Sequence, residues 1–499
     1  WVRSQDLLYS SALWYSLSDN SVGKPHGYGS GFSKYALASY MGRVNYSLMN
    51  KYLLTATGRW DGSSVLAPGN KWDFFPSLAV AWKLEQERFM QDIDWVDQLK
   101  LRYGWGVTGN SAVGAYSTSG SLMGANQVFN NTEVAGAKAS VMPNYSLGWE
   151  KTAQTNLGLD FALFKNRISG SVEYYEANTS DLLMDRSIPA ILGYVSIQSN
   201  VGKTRNRGFE VNLSTVNIST SDFTWETDFN WSTNKEVIVE LAKGKQDDKS
   251  NGWFIGQPIR VMRDYDYDRL WQDTEEDRYL MDIYKTVGKL TYIPGQVKLV
   301  DQQPMEVVPA GTEGSTTYTL ASGETITLMD NGFGKINDDD AKILGSNRPK
   351  WVGGITNTFT YKNLQLNFFV YARIGNLYYG LLQTYGRRVE KDVWSPENTS
   401  GRYPQPTTKV HSSSSDAMNY TSGNMVAVRN ISLSYTFPEK ILKKYNLSNM
   451  QLYGQVINPF IFGGDLVKVG INPDDVNGWD SKSGAMAGGQ TNNTALMRS

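Results

Sequence analysis

Cysteine is absent from the 499 residues. Disulfides, Cys-ligated zinc, iron–sulfur clusters and thiol nucleophiles are excluded together. Histidine is almost absent, with only His26 and His411, far apart in the chain. A His-based metal centre or a Ser-His-Asp triad therefore has almost no raw material. No apolar run approaches the ~18 residues of a spanning helix, and mean hydropathy is −0.41. Charge of one sign is lacking as well: 48 Lys+Arg against 49 Asp+Glu leave −1. Bulk attraction to nucleic acid or anionic lipid is thus not the theme. Trp1 opens the chain without a Met or a signal segment, which reads as a processed or partial chain.

What the sequence holds instead is 12% aromatics and 47 Gly with few charges, the composition of an all-β protein. The residues alternate with period two. Ala36, Ala38, Tyr40, Gly42, Val44, Tyr46 and Leu48 share one face, and Ser39, Met41, Arg43, Asn45 and Ser47 the other. After a turn at Asn50-Lys51, Tyr52, Leu54, Ala56, Gly58 and Trp60 oppose Thr55, Thr57, Arg59 and Asp61. Residues 223–234 and 364–374 repeat the pattern, with Phe369 as an exception. Weaker versions lie at 77–84, 99–108, 154–163, 168–177, 205–215, 351–361, 425–437 and 450–458. About twelve strands result, each of a length suited to crossing a bilayer.

Short and long connections alternate. One side has 50–51, 164–167, 216–222 and 362–363, plus two links at 85–98 and 438–449 that read as short helices. The other has 61–76, 109–150, 181–203, 236–350, 375–424 and 459–495. Short turns at one end and long loops at the other predict a transmembrane antiparallel β-barrel with long extracellular loops. Its polar face lines a wet lumen and its apolar face meets lipid.

No catalytic constellation stands out. The run Gly27-Tyr28-Gly29-Ser30-Gly31 follows no strand and opens no helix, so it is no phosphate loop. The acidic groups around Asp273–Asp277 and Asp338–Asp340 read as solvated loop charges. For residues 330–340, placing Gly334 at the calcium-loop glycine puts Met329, Asn331 and Phe333 at ligand positions, where only one can coordinate. An Asx-rich turn is expected, with no metal and no cofactor.

The motifs resemble one family. Tyr40-Met41-Gly42-Arg43-Val44-Asn45-Tyr46, Lys51 to Ala56, Asp61-Gly62-Ser63-Ser64, Phe75-Pro76-Ser77, Val107-Thr108-Gly109-Asn110 and Trp149-Glu150-Lys151 match it in order. So do Asn156 to Asp160, Asn206-Arg207-Gly208-Phe209-Glu210, Trp394 to Asn398 and Val428 to Leu433. The ordered set, over about residues 35–495, resembles the SusC/RagA-type TonB-dependent transporters of Bacteroidetes. The resemblance implies a 22-stranded outer-membrane barrel, of which about 12 strands lie here, with residues 1–34 as an extracellular loop and 35–499 as the C-terminal barrel portion. The plug domain and first strands are expected before Trp1, and the last strand after Ser499, with Leu496 to Ser499 as its entry. The family's acidic loop is interrupted between Asp301 and Asp330, and Phe333 replaces its aspartate.

The resemblance further implies non-enzymatic, TonB-dependent import of a glycan or oligopeptide. It implies a SusD-like lipoprotein lid, the TonB complex and outer-membrane lipid as partners, and a dimer of such pairs. A soluble secreted glycan-binding protein or glycosidase is the alternative, though no carboxylate pair declares itself. A passive porin is disfavoured by the bulky loops. Inward positions near the long-loop ends meet cargo first: Arg59, Asp61, Glu173, Tyr175, Tyr371 and Arg373. Trp271 and Trp394, in the two longest loops, are candidate stacking surfaces, with a place in the loop core as the alternative for each.

Overall fold

The computed structural model describes residues 4–5, 24–25, 32–242, 244–379, 392–405, 417–464 and 467. His26, His411, the glycine run at 27–31, most of the loop assigned to 1–34 and the segment 496–499 lie outside them. One sheet of twelve strands dominates, and its strands follow one another in chain order. They are β1 (Leu37–Leu48), β2 (Tyr52–Ser63), β3 (Trp72–Lys83), β4 (Val96–Asn110), β5 (Glu150–Leu163) and β6 (Ile168–Ser180). Then come β7 (Lys203–Ser219), β8 (Phe223–Glu240), β9 (Trp351–Tyr361), β10 (Leu364–Ile374), β11 (Met425–Thr436) and β12 (Gln451–Gly463). Every neighbouring pair is antiparallel.

The register carries one apolar face across the whole sheet. Tyr40 pairs with Trp60 and Trp60 with Phe74; Val80 pairs with Tyr103, Tyr103 with Leu157 and Leu157 with Tyr174. Further on, Val211 pairs with Trp231, and Phe359 with Leu366 and Leu366 with Leu433. Side-chain period and hydrogen-bond register must agree for this to happen, because a one-residue slip in any pair would turn a strand inside out. Many of these rings are exposed, Tyr40 at 72% and Trp60 at 54%. Such a face suits hydrocarbon. A polar residue on this face, Asn357, accepts hydrogen bonds from Trp225 Nε1 at 2.9 Å and Thr227 Oγ1 at 2.8 Å, so its carbonyl is satisfied.

Phe369 breaks the alternation by pointing inward. Its ring lies over Gly354, where an added Cβ would come within 2.6 Å of it. The short-side links are 49–51, 84–95, 164–167, 220–222, 362–363 and 437–450, and the long loops begin and end on the opposite side. Several expectations change, the link at 216–222 shrinking to 220–222 among them. The link at 61–76 shrinks to 64–71 because β2 and β3 run longer. The link near 85–98 holds two 3-10 turns, Leu84–Gln86 and Arg88–Met90, and β4 begins at Val96. The loop from 236 starts after Glu240, since β8 extends past the point where its alternation fades. The link before β12 does hold a short helix, Glu439–Lys443.

The long loops carry structure of their own. Ser121–Phe129 and Thr132–Met142 form a hairpin that joins Leu183–Ser187 and Ser196–Asn200 in a four-stranded sheet. The loop between β8 and β9 folds around helix α1 (Glu275–Gly288), whose N-cap Thr274 accepts from Asp277 N–H and whose first turn holds Glu275, Glu276 and Asp277. Trp271, Ile283, Tyr284, Tyr292, Leu328 and Phe333 make its core.

Candidate functional site

The inner wall is built by the residues that alternate with the apolar face. Arg102 on β4 pairs in register with Gly158 on β5, and Gly158 with Glu173 on β6. Gly158 is what lets the guanidinium cross, since a Cβ there would meet Arg102 Cζ at 3.0 Å. Arg102 therefore grips Asp160 through Nε at 2.8 Å and Nη2 at 2.7 Å and reaches Glu173 at 2.7 Å. Lys100 stands 3.6 Å from Asp160. Tyr175, two residues on, lies over Gly208, which leaves room for the ring. A cavity of about 300 Å³ opens beside Arg102, Asn156 and Glu173.

Arg59 and Asp61 form a second station. Arg59 Nε donates to Asp61 Oδ1 at 2.6 Å and Nη2 reaches Ser39 Oγ at 3.4 Å. Both line a cavity of about 400 Å³ with Tyr35, Asn110 and Trp149. Tyr371 and Arg373 form a third on β10. Arg429 Cζ sits 5.2 Å from the Tyr371 ring centroid, and Arg373 Nη2 donates to Tyr378 Oη at 3.0 Å. The six inward residues thus fall into three stations along one wall. From β2 to β10 the sheet runs roughly 40 Å at about 4.8 Å per strand, so the second and third are separate contacts.

Trp271 and Trp394 take the loop-core alternative and not the stacking one. Trp271 is 1% exposed and Trp394 4%. Trp271 packs on Tyr284 and Tyr292 and lies under Lys298 Nζ at 4.7 Å. Trp394 packs with Leu270, Val297, Leu299 and Ala417, and its Nε1 donates to Gln272 Oε1 at 3.0 Å. Neither ring has a face left for a ligand; both hold the loops together. Arg102, Asp160, Lys100 and Arg429 escaped sequence reasoning. Their only signal was alternation within 99–108, 154–163 and 425–437, which puts them on the inner face without saying what they meet.

Charge inside the loop is tightly arranged. Burial pushes the Asp277 carboxyl up, but Arg269, the Gln272 N–H and Lys298 outweigh it and hold it below the usual range. Burial pushes Asp301 up to about 6, helped by neighbouring Asp340 against N–H donation from Gly334 and Gln303. Asp338 goes the other way, to about 2, because Arg263 and Lys249 bond to it. Residues 330–340 form an Asx-rich turn, with the Asn337 side chain accepting from Asp339 N–H at 2.9 Å and Asp340 from Asn337 N–H at 2.8 Å. Phe333 contributes a ring to the core where a calcium loop needs an oxygen.

A larger cavity, about 780 Å³, lies among the long loops between residues 184–201 and 241–253, with Met184, Leu192, Leu241 and Trp253 beside Arg186 and Asp247.

Comparison with known proteins agrees with this architecture. The family model described as "TonB dependent receptor-like, beta-barrel" matches residues 3–458. The TonB-dependent receptor P3 of Formosa agariphila is 33% identical over 426 residues, covering 84% of this chain and 40% of its own. The TonB-dependent receptor SusC of Bacteroides thetaiotaomicron is 29% identical over 459 residues, covering 89% of this chain and 42% of its own. The solved RagAB peptide transporter superposes with a TM-score of 0.68 at 22% identity, over 91% of this chain and 47% of that one. The chain spans less than half the length of these relatives.

Proposed function

Because the chain belongs to the TonB-dependent receptor-like β-barrel family, a non-enzymatic outer-membrane family, and is similar to SusC and to the solved RagAB transporter, we propose that it forms the wall of an energised nutrient importer. Membership removes the soluble glycan-binding or glycosidase reading. One observation carries the proposal: twelve consecutive strands share a continuous apolar outer face while the inner face is charged and stationed. A passive porin is disfavoured by membership of the TonB-dependent receptor-like family and by the bulky loops.

The cargo is a glycan or an oligopeptide, met first at Arg59, Asp61, Glu173, Tyr175, Tyr371 and Arg373. The partners are a SusD-like lipoprotein over the long loops and the TonB complex, with two such pairs forming a dimer. Residues 1–34 serve as an extracellular loop and 35–499 as the C-terminal barrel portion. The similarity to a protein named for peptide transport supports the architecture and leaves both cargo classes open. The test is to purify the complex from native membranes, identify the ligand that comes with it by mass spectrometry, and titrate that ligand into the wild type and an Arg59→Ala/Arg373→Ala variant. Weaker binding by the variant supports the reading. Equal affinity in both would contradict the assigned stations.

A further inference from the structure

The outer face holds one row that breaks the apolar rule. Thr155, Glu176, Arg207 and Lys235 are register partners in turn across β5, β6, β7 and β8. The row beneath them contains Leu157, Tyr174 and Phe209, and Phe209 meets Trp231 edge-on at 6.0 Å between centroids. One row further toward the long loops lies Arg205, diagonal to Lys235. Arg207 and Lys235 therefore stand directly opposite each other on neighbouring strands, an arrangement that costs stability. Glu176 relieves one side, accepting from Arg207 Nε at 2.7 Å. The ion pairs end there: among the described residues Arg205 and Lys235 make none. The nearby Lys203 is taken up by Glu240 at 2.7 Å.

The height of the row identifies its neighbour. Outward Trp225, stacked on Phe359, marks the short-turn end of β8. Lys235 lies ~34 Å further along the strand at about 3.4 Å per residue. A tilt of 35–45° reduces this to roughly 26 Å, the height of the apolar band of an outer-membrane barrel. The cations thus sit at headgroup level on the long-loop side, with aromatic rings just below them. Three cations against one carboxylate lack an anion, and Arg and Lys side chains facing outward at this depth match a phosphate ester. The chain's formal charge of −1 supplies no general attraction, so the affinity is local. The geometry points to a lipid site: Arg205, Arg207 and Lys235 hold the phosphate of an outer-leaflet glycolipid whose acyl chains lie against Tyr174, Phe209 and Trp231.

The site is independent of cargo, so its test leaves the import reading untouched. The full-length protein is purified in detergent, stripped of lipid and titrated with lipid A, with dephosphorylated lipid A and inorganic phosphate as separate arms, and native mass spectrometry reads occupancy. The wild type should bind phosphorylated lipid A, and Arg205→Ala/Lys235→Ala should weaken this by roughly 30-fold, about 5-fold for each cation removed. Dephosphorylated lipid A should bind both proteins weakly, and inorganic phosphate should not displace the lipid. Should the double variant lose its heat-modifiable barrel, Lys235→Gln alone should weaken binding about 5-fold, with Lys235→Arg restoring it. Equal affinity in wild type and variant, indifference to the lipid phosphate, or displacement by inorganic phosphate would each overturn the site.

Discussion

Removing the Trp394 indole would open a void among Leu270, Val297, Leu299 and Ala417 and leave Gln272 without its donor. Truncating a buried tryptophan costs about 3–5 kcal/mol, because the surroundings collapse only partly. Trp394→Ala should therefore loosen the folded loop between β8 and β9 while the barrel stays heat-modifiable. Limited proteolysis of the full-length protein would show faster cleavage within residues 262–345. Unchanged cleavage together with weakened cargo binding would show that the indole faces ligand after all. The same scale explains what sequence could say about the wall. Alternation put Glu173 and Tyr175 on the inner face, but the Arg102 contact to Glu173 depends on Gly158 lying between them. That is a property of register between strands far apart in the chain, and no single segment encodes it.

Single strands test the assignment of faces. Trp231 pairs with Val211 and Leu366 with Phe359 and Leu433, all on the apolar side, whereas Asn367 pairs with Thr358 and Ser432. Trp231→Arg should destabilise the barrel by about 2–4 kcal/mol, Leu366→Arg, near the short-turn edge of the band, by up to about 1 kcal/mol, and Asn367→Arg should cost least. Equal losses in denaturant titrations of the refolded full-length protein would mean the faces are misassigned.

The β8–β9 loop carries a separate pH dependence. Asp301 has its carboxyl pushed from 3.8 to about 6 in the folded loop. Below about pH 4 it is protonated folded or unfolded and contributes nothing. As pH rises from about 4 through 6 the unfolded chain ionises first, so the loop loses stability over that window. Asp338, drawn down to about 2 by Arg263 and Lys249, stabilises above about pH 4 and loses this only as pH falls toward 2. Between pH 5 and 7.5 only Asp301 should act. Hydrogen exchange should show this loop better protected at pH 5 than at pH 7.5, and Asp301→Asn should flatten the difference. Greater protection at pH 7.5 in the wild type would reverse the sign and refute this.

For the whole molecule, strand number, order and face were legible because alternation, turn spacing and loop length all repeat with the same grammar. The interior of the long loops was not. Trp271 and Trp394 look alike in sequence whether they face cargo or a core; the packing of α1 against residues 292–333 decides it for Trp271, and the contacts with Leu270, Val297 and Leu299 for Trp394. Among the described residues the sheet also has two free edges: β1 and β12 each pair on one side only, and β1 is exposed along its length. Unpaired backbone groups in hydrocarbon cost several kcal/mol each. Residues 1–499 expressed alone should aggregate, and a stable, heat-modifiable monomer in detergent would contradict that.

The central claim is a wall with water on one face and lipid on the other. The absence of cysteine from these 499 residues makes it directly measurable, once any cysteine elsewhere in the full-length protein is replaced by serine. Single cysteines are placed along β8 and β10 of the full-length protein in its own outer membrane and treated with a membrane-impermeant maleimide. Asn230→Cys, Ser232→Cys, Asn367→Cys and Phe369→Cys should react, while Phe229→Cys, Trp231→Cys, Leu366→Cys and Phe368→Cys should stay protected. Uniform labelling, or labelling in the opposite phase, would contradict the account.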